Sequence, residues 1–132
     1  MLYDMFVIGK HPLRRRSLLL QLVAFIVIWS TLPAVLLIHA SIWIYQEIYF
    51  SIFDIPKARI REYIAFDRNR LRRLNIAQKM GCMYCAYANG VAAWIKAIAN
   101  RTELYSCSIK HGTPVRGQEH QKDFFPYGKF LK

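Results

Sequence analysis

Residues 17–46, SLLLQLVAFIVIWSTLPAVLLIHASIWIYQ, form an apolar run with no formally charged side chain. A bilayer-crossing helix needs about 20 such residues, so this run, extended by the aromatic-rich EIYFSIFDIP, exceeds one perpendicular crossing. The pattern then changes. In PKARIREYIAFDRNRLRRLNIAQKM, which opens at Pro56, Ile60, Tyr63, Ile64, Leu71 and Leu74 recur at helical spacing. Arg59, Arg61, Arg68, Arg70, Arg72 and Arg73 fall on the sides and back of that stripe, which predicts a basic amphipathic helix lying on an anionic surface. Asp67 interrupts the stripe, and Phe66 and Ile76 lie off it. Farther on, Tyr87, Val91, Trp94, Ile95 and Ile98 share one helical face. The helix they predict opens near Ala86 or, if Asn89-Gly90 is a turn, at Gly90.

The expected architecture is therefore mainly α, in five stretches. Residues 1–16 are a basic flank, 17–55 a membrane segment bent near Pro33, 56–80 the basic interfacial helix, 81–111 a small helical unit, and 112–132 an irregular tail. Phe124, Phe125 and Tyr127 give that tail an aromatic docking patch. The membrane segment has two readings. Pro33 removes a backbone donor, and Ser30 and Thr31 can satisfy the groups it frees. The outcome is either one kinked, tilted membrane helix or a Pro-bent helical hairpin, which keeps both basic flanks on one side. The stretch is too long for the apolar region of a signal peptide, and no small-x-small cleavage site follows at the usual distance. Tyr45, Tyr49, Phe50 and Phe53 read as an interfacial aromatic cluster.

Charge sharpens this picture. Nineteen Lys and Arg against eight Asp and Glu give a net +11 over 132 residues, a balance compatible with nucleic acid, anionic lipid or an acidic partner. Placement decides between them. Lys10, Arg14, Arg15 and Arg16 precede the apolar run, and Lys57 through Lys79 follow it, which points to a bilayer with anionic headgroups rather than nucleic acid, and to a cytoplasmic soluble part. The sequon Asn100-Arg101-Thr102 would need a lumenal address, which the same flanks oppose.

So short a soluble remainder calls for an extra tie. Cys82-x2-Cys85 and Cys107-x3-His111 have ligand spacing, and four N and S donors suit tetrahedral zinc. His120 is an alternative fourth ligand and Asp123 a weaker one. An iron-sulfur cluster is the alternative cofactor. A Cys82-Cys85 redox pair lacks the strand-helix alternation it normally accompanies, and buried, inert thiols remain the plainest reading. His39, costly within lipid, is a further candidate. The wedge-plus-interfacial-helix layout resembles that of membrane enzymes that transfer sugar phosphates. However, Glu62 and Asp67, five apart on different helix faces, do not form the acidic pair such chemistry needs. With no phosphate loop or Ser-His arrangement, the sequence reads as a small integral membrane protein with a membrane-proximal Cys3His site. Its expected role is a non-enzymatic structural or accessory subunit that docks on partner proteins. The alternative is an interfacial metal-dependent or redox enzyme, or an electron carrier.

Overall fold

A computed structural model describes residues 16–131, so the basic flank before Arg16 lies outside the described residues. The chain is mainly helical, and among the described residues there is no strand, only an isolated bridge between Ile109 and Phe125.

The apolar run forms α1 (Leu18–Ser30) and α2 (Leu32–Tyr45), continued by a π-helical turn, Gln46–Phe50. Together they make one rod, Leu18–Phe50, long and apolar enough to cross a membrane. Of the two readings of the membrane segment, the Pro-bent hairpin is not formed. Thr31 keeps right-handed helical dihedrals (φ −77, ψ −17) between the two helices, and Pro33 sits in the first turn of α2, where its missing N–H costs little. The hydroxyls of Ser30 and Thr31 fold back onto the carbonyls of Val27 (2.7 Å) and Ile28 (2.6 Å), so the discontinuity is satisfied locally without reversing the chain. Reversal comes at Asp54, whose left-handed φ of 52° lets Ile55 N–H reach back to the Phe50 carbonyl at 2.9 Å. Asp tolerates that region better than most residues.

Residues 54–75 are not the amphipathic helix the stripe predicts. They form an extended strap with two 3-10 turns, Ile60–Glu62 and Asp67–Arg70. The reason is competition for backbone groups and apolar surface. The Pro56 carbonyl accepts from Arg101 Nη1 (2.6 Å) and the Ala58 carbonyl from Trp94 Nε1 (2.8 Å), while Ala58 N–H donates to Gln46 Oε1 (2.8 Å). Ile60 and Tyr63 pack against the core, and a helix would forfeit these contacts while crowding the arginines.

Helix starts afresh at Asn75. Its side chain accepts from Gln78 N–H at 2.8 Å while the Gln78 side chain accepts from Asn75 N–H at 3.1 Å, a reciprocal capping box. The resulting α3 runs Ile76–Ser106, 31 residues, about 46 Å at a rise of about 1.5 Å per residue. Gly90, expected as a possible turn, is buried inside this helix. A methyl there would meet the Ile64 side chain and lie 2.6 Å from the Tyr63 carbonyl oxygen, so the bare Cα is what lets the strap approach. Phe50, Ile55, Ala58, Trp94 and Ile98 form the core, flanked by Ile42, Tyr45 and Tyr49 of the rod.

The tail doubles back onto the end of α3. Phe125 N–H donates to the Ser108 carbonyl and Lys110 N–H to the Phe125 carbonyl, each at 2.9 Å. Phe124 is buried. Two 3-10 turns, Glu119–Asp123 and Tyr127–Phe130, complete the tail.

Candidate functional site

The four residues expected to hold a metal are not brought together. Cys82 and Cys85 lie near the start of α3, and Cys107 caps its other end. Cys85 and Cys107 are 22 positions apart, which on a continuous helix is about 33 Å, whereas zinc–sulfur bonds are about 2.3 Å. The spacer that would have to loop back between the two pairs is helical throughout, so neither a Cys3His zinc site nor a cluster on the same ligands forms. His111 lies past the helix end, exposed, with its N–H donating to Gln121 Oε1 at 3.3 Å. All three thiols are free, and among the described residues no three His, Cys, Asp or Glu side chains converge to hold an ion. Asp123 is exposed.

His120, the alternative ligand, has another partner. Its Nε2 sits 2.5 Å from Glu103 Oε2, and Gln121 Nε2 donates to Glu103 Oε1 at 2.6 Å. The His120 ring also meets Phe124 edge-on, with centroids 5.6 Å apart. Glu103 thus latches the tail to the last turn of α3. Beside the latch is an open cavity of about 590 Å3, lined by Lys110, His111, Val115, Gln121 and Lys122 among others. Sequence reasoning passed over Glu103, yet a signal was present: a carboxylate in the last turn of a helix opposes the helix dipole and needs a partner from elsewhere.

The larger feature is the rod. One side of it carries a ladder of polar pairs to α3. The Thr31 hydroxyl meets that of Tyr84, His39 Nδ1 lies 2.7 Å from the Tyr87 hydroxyl, and Tyr45 pairs with Thr102 and Tyr49 with Ser106, each at 2.8 Å. Burial pushes the Tyr87 phenol above its ordinary range, so it keeps its proton and can donate to the imidazole. His39 also meets Trp94 edge-on at 5.3 Å. Its place is therefore in helix pairing, with no sign of a ligand role. The other side of the rod is uncovered. Leu37, Ile44, Ile48 and Ile52 are all more than half exposed, Leu37 at 71%. Ser41 on this side folds its hydroxyl onto the Leu37 carbonyl at 2.9 Å, which satisfies that donor within the helix. Arg59, Arg61, Arg68, Arg70, Arg72 and Arg73 are all exposed along the strap. The amphipathic helix expected to carry them is not formed. No family model, curated protein or solved structure matches the chain.

Proposed function

We propose that this protein is a non-enzymatic membrane module in which the rod Leu18–Phe50 holds the chain in a bilayer while α3, the strap and the latched tail form a small cap that serves as an accessory unit for a partner protein. The observation that carries the membrane half is the uncovered rod. Its most apolar stretch has no buried residue in the fold, and an exposed apolar surface of this length in water would drive association. The partner half is supported by the tail, where Phe125, Tyr127 and Phe130 remain about half exposed and Leu131 is 67% exposed. Aromatic side chains of this kind anchor interfaces. The cap needs no ion to tie it, because the Glu103 latch joins the tail to α3 directly. Among the described residues, no three His, Cys, Asp or Glu side chains converge to support the enzymatic alternative once Cys82, Cys85, Cys107 and His111 are separated. The test is membrane fractionation followed by an alkaline carbonate wash. The wild-type chain stays with the lipid, and a variant with Leu37, Ile44 and Ile48 all changed to Asp is released. A wild-type chain found in the wash would reject the reading.

A further inference from the structure

We propose that Cys82 and Cys85 form a two-coordinate site for a soft monovalent metal ion, Cu(I), on the surface of α3 turned away from the rod. The site does not depend on how the rod is held.

The spacing of the two thiols on a continuous helix decides what they can do together. Both lie inside α3, beyond the capping box at Asn75 and Gln78, so the backbone between them is regular. Positions three apart on an α-helix are rotated by about 60° around its axis, and their β-carbons stand about 5–6 Å apart. A disulfide needs about 3.5–4.5 Å between β-carbons, so closing one here would distort the helix. Both thiols are free. A linear sulfur–metal–sulfur unit is longer. With metal–thiolate bonds of about 2.3 Å it holds the two sulfurs about 4.6 Å apart, which side chains so placed span from staggered rotamers. The pair is thus too wide to oxidise within the helix and wide enough to share one ion.

The number of donors then selects the ion. Zinc takes four in its structural sites, and among the described residues no third His, Cys, Asp or Glu side chain converges on the pair. Cu(I) is satisfied by two thiolates, and thiolate and thioether sulfurs favour it over harder ions. Met80 and Met83, 51% and 37% exposed, place two thioethers within a turn of the thiols.

Access and charge agree with this. The local rungs to the rod are Tyr84 and Tyr87, and both cysteines point at least about 100° away from them around the helix. Cys85 is exposed and Cys82 half-buried. Binding moves no electron: two neutral thiols release two protons, and with Cu(I) they become a complex of charge −1. Lys79, three positions before Cys82 and so its neighbour on the helix surface, has no ion-pair partner among the described residues and supplies the opposite charge. An ion held by two donors stays open to a third, so the pair suits uptake and handover to another thiolate, unlike a closed four-ligand tie.

The test uses the full chain in mild detergent, reduced and free of oxygen, titrated against the coloured complex of Cu(I) with bicinchoninate. Wild type and Cys107→Ser should each withdraw one Cu(I) per chain, read as loss of visible absorbance. Cys82→Ser and Cys85→Ser should withdraw none while keeping the wild-type far-ultraviolet circular dichroism. X-ray absorption of the loaded wild type, which needs no variant to fold, should show two sulfur neighbours around the copper. Failure of the wild type to compete, uptake of half an equivalent by an ion shared between two copies, undiminished uptake by Cys85→Ser, or three or more donors around the ion would each overturn the site. None of these results bears on membrane attachment, which the carbonate wash decides separately.

Discussion

Two glycines in α3 allow the seating of the strap to be tested by the same chemical change. Gly81 has open space where a Cβ would stand, with nothing within 4 Å, whereas a Cβ at Gly90 would press on the Ile64 side chain, the Tyr63 carbonyl oxygen and, at 3.2 Å, the Ile64 Cα. Alanine in place of glycine within a helix is intrinsically worth about 1 kcal/mol. At Gly81 this gain should be seen nearly whole, as a stabilisation of up to about 1 kcal/mol. At Gly90 the same gain is set against overpacking of a backbone carbonyl that cannot rotate away, a cost of about 1–3 kcal/mol. Helix propensity is common to both changes and cancels in the comparison. Gly90→Ala should therefore be less stable than Gly81→Ala by about 1–3 kcal/mol, which is the overpacking penalty by itself. Displacing the strap would also strain the bond from Trp94 Nε1 to the Ala58 carbonyl, so Trp94 emission should move to longer wavelength in Gly90→Ala only. The assay is thermal unfolding followed by far-ultraviolet circular dichroism, with both variants and the wild type in one mild detergent. Equal stability of the two variants would refute the close approach of strap and helix.

Glu103→Ala removes both acceptors of the tail latch, and a local loss of roughly 2 kcal/mol should speed tryptic cleavage at Lys110, Arg116 and Lys122 by about thirtyfold, since cleavage follows the open population. An unchanged digestion time course would count against the latch. The Tyr87 phenol, raised by burial above 10.0, is held protonated more firmly in the folded chain than in the unfolded one. Its contribution is therefore complete below the unfolded value and is lost as pH rises through the folded one. Wild type should lose stability above about pH 10 more steeply than Tyr87→Phe, and parallel curves would contradict this.

The apolar rod and the buried face of α3 were legible in the sequence because both are periodic and local. Val91, Trp94 and Ile98 are each 1% exposed, on the face that Tyr87 and Ile95 help to define. The strap was illegible for the opposite reason. Ile60, Tyr63 and Ile64 suit a helix face and a docked 3-10 turn equally well, and the groups that decide between them, Trp94 and Arg101, lie 36 and 45 positions away from their carbonyl partners. Asn75 and Gln78 carry a capping-box signal, but the basic stripe runs across it, so residues 56–80 read as one helix and the next as opening only at Ala86 or Gly90, well after the observed start at Ile76. The cysteines show a related difficulty. Ligand spacing within each pair can be read directly, whereas the stiffness of the intervening segment follows only once residues 76–106 are known to form one helix. Gly90 looked like a turn because glycine commonly marks one, yet here its use is the space it leaves for the Tyr63 carbonyl.

The parallel pairing of rod and α3 also sets an order of events during synthesis. The ladder joins residues 53, 48, 57 and 57 positions apart, so every rung waits for a partner that has not yet been translated when the rod is complete. At about 5–20 residues per second, the ribosome leaves the rod naked for roughly 3–10 seconds before α3 can join it. That interval exceeds the time hydrophobic collapse takes by many orders of magnitude. On the membrane reading proposed above, delivery of the nascent chain to lipid comes first, and the cap assembles on the rod afterwards.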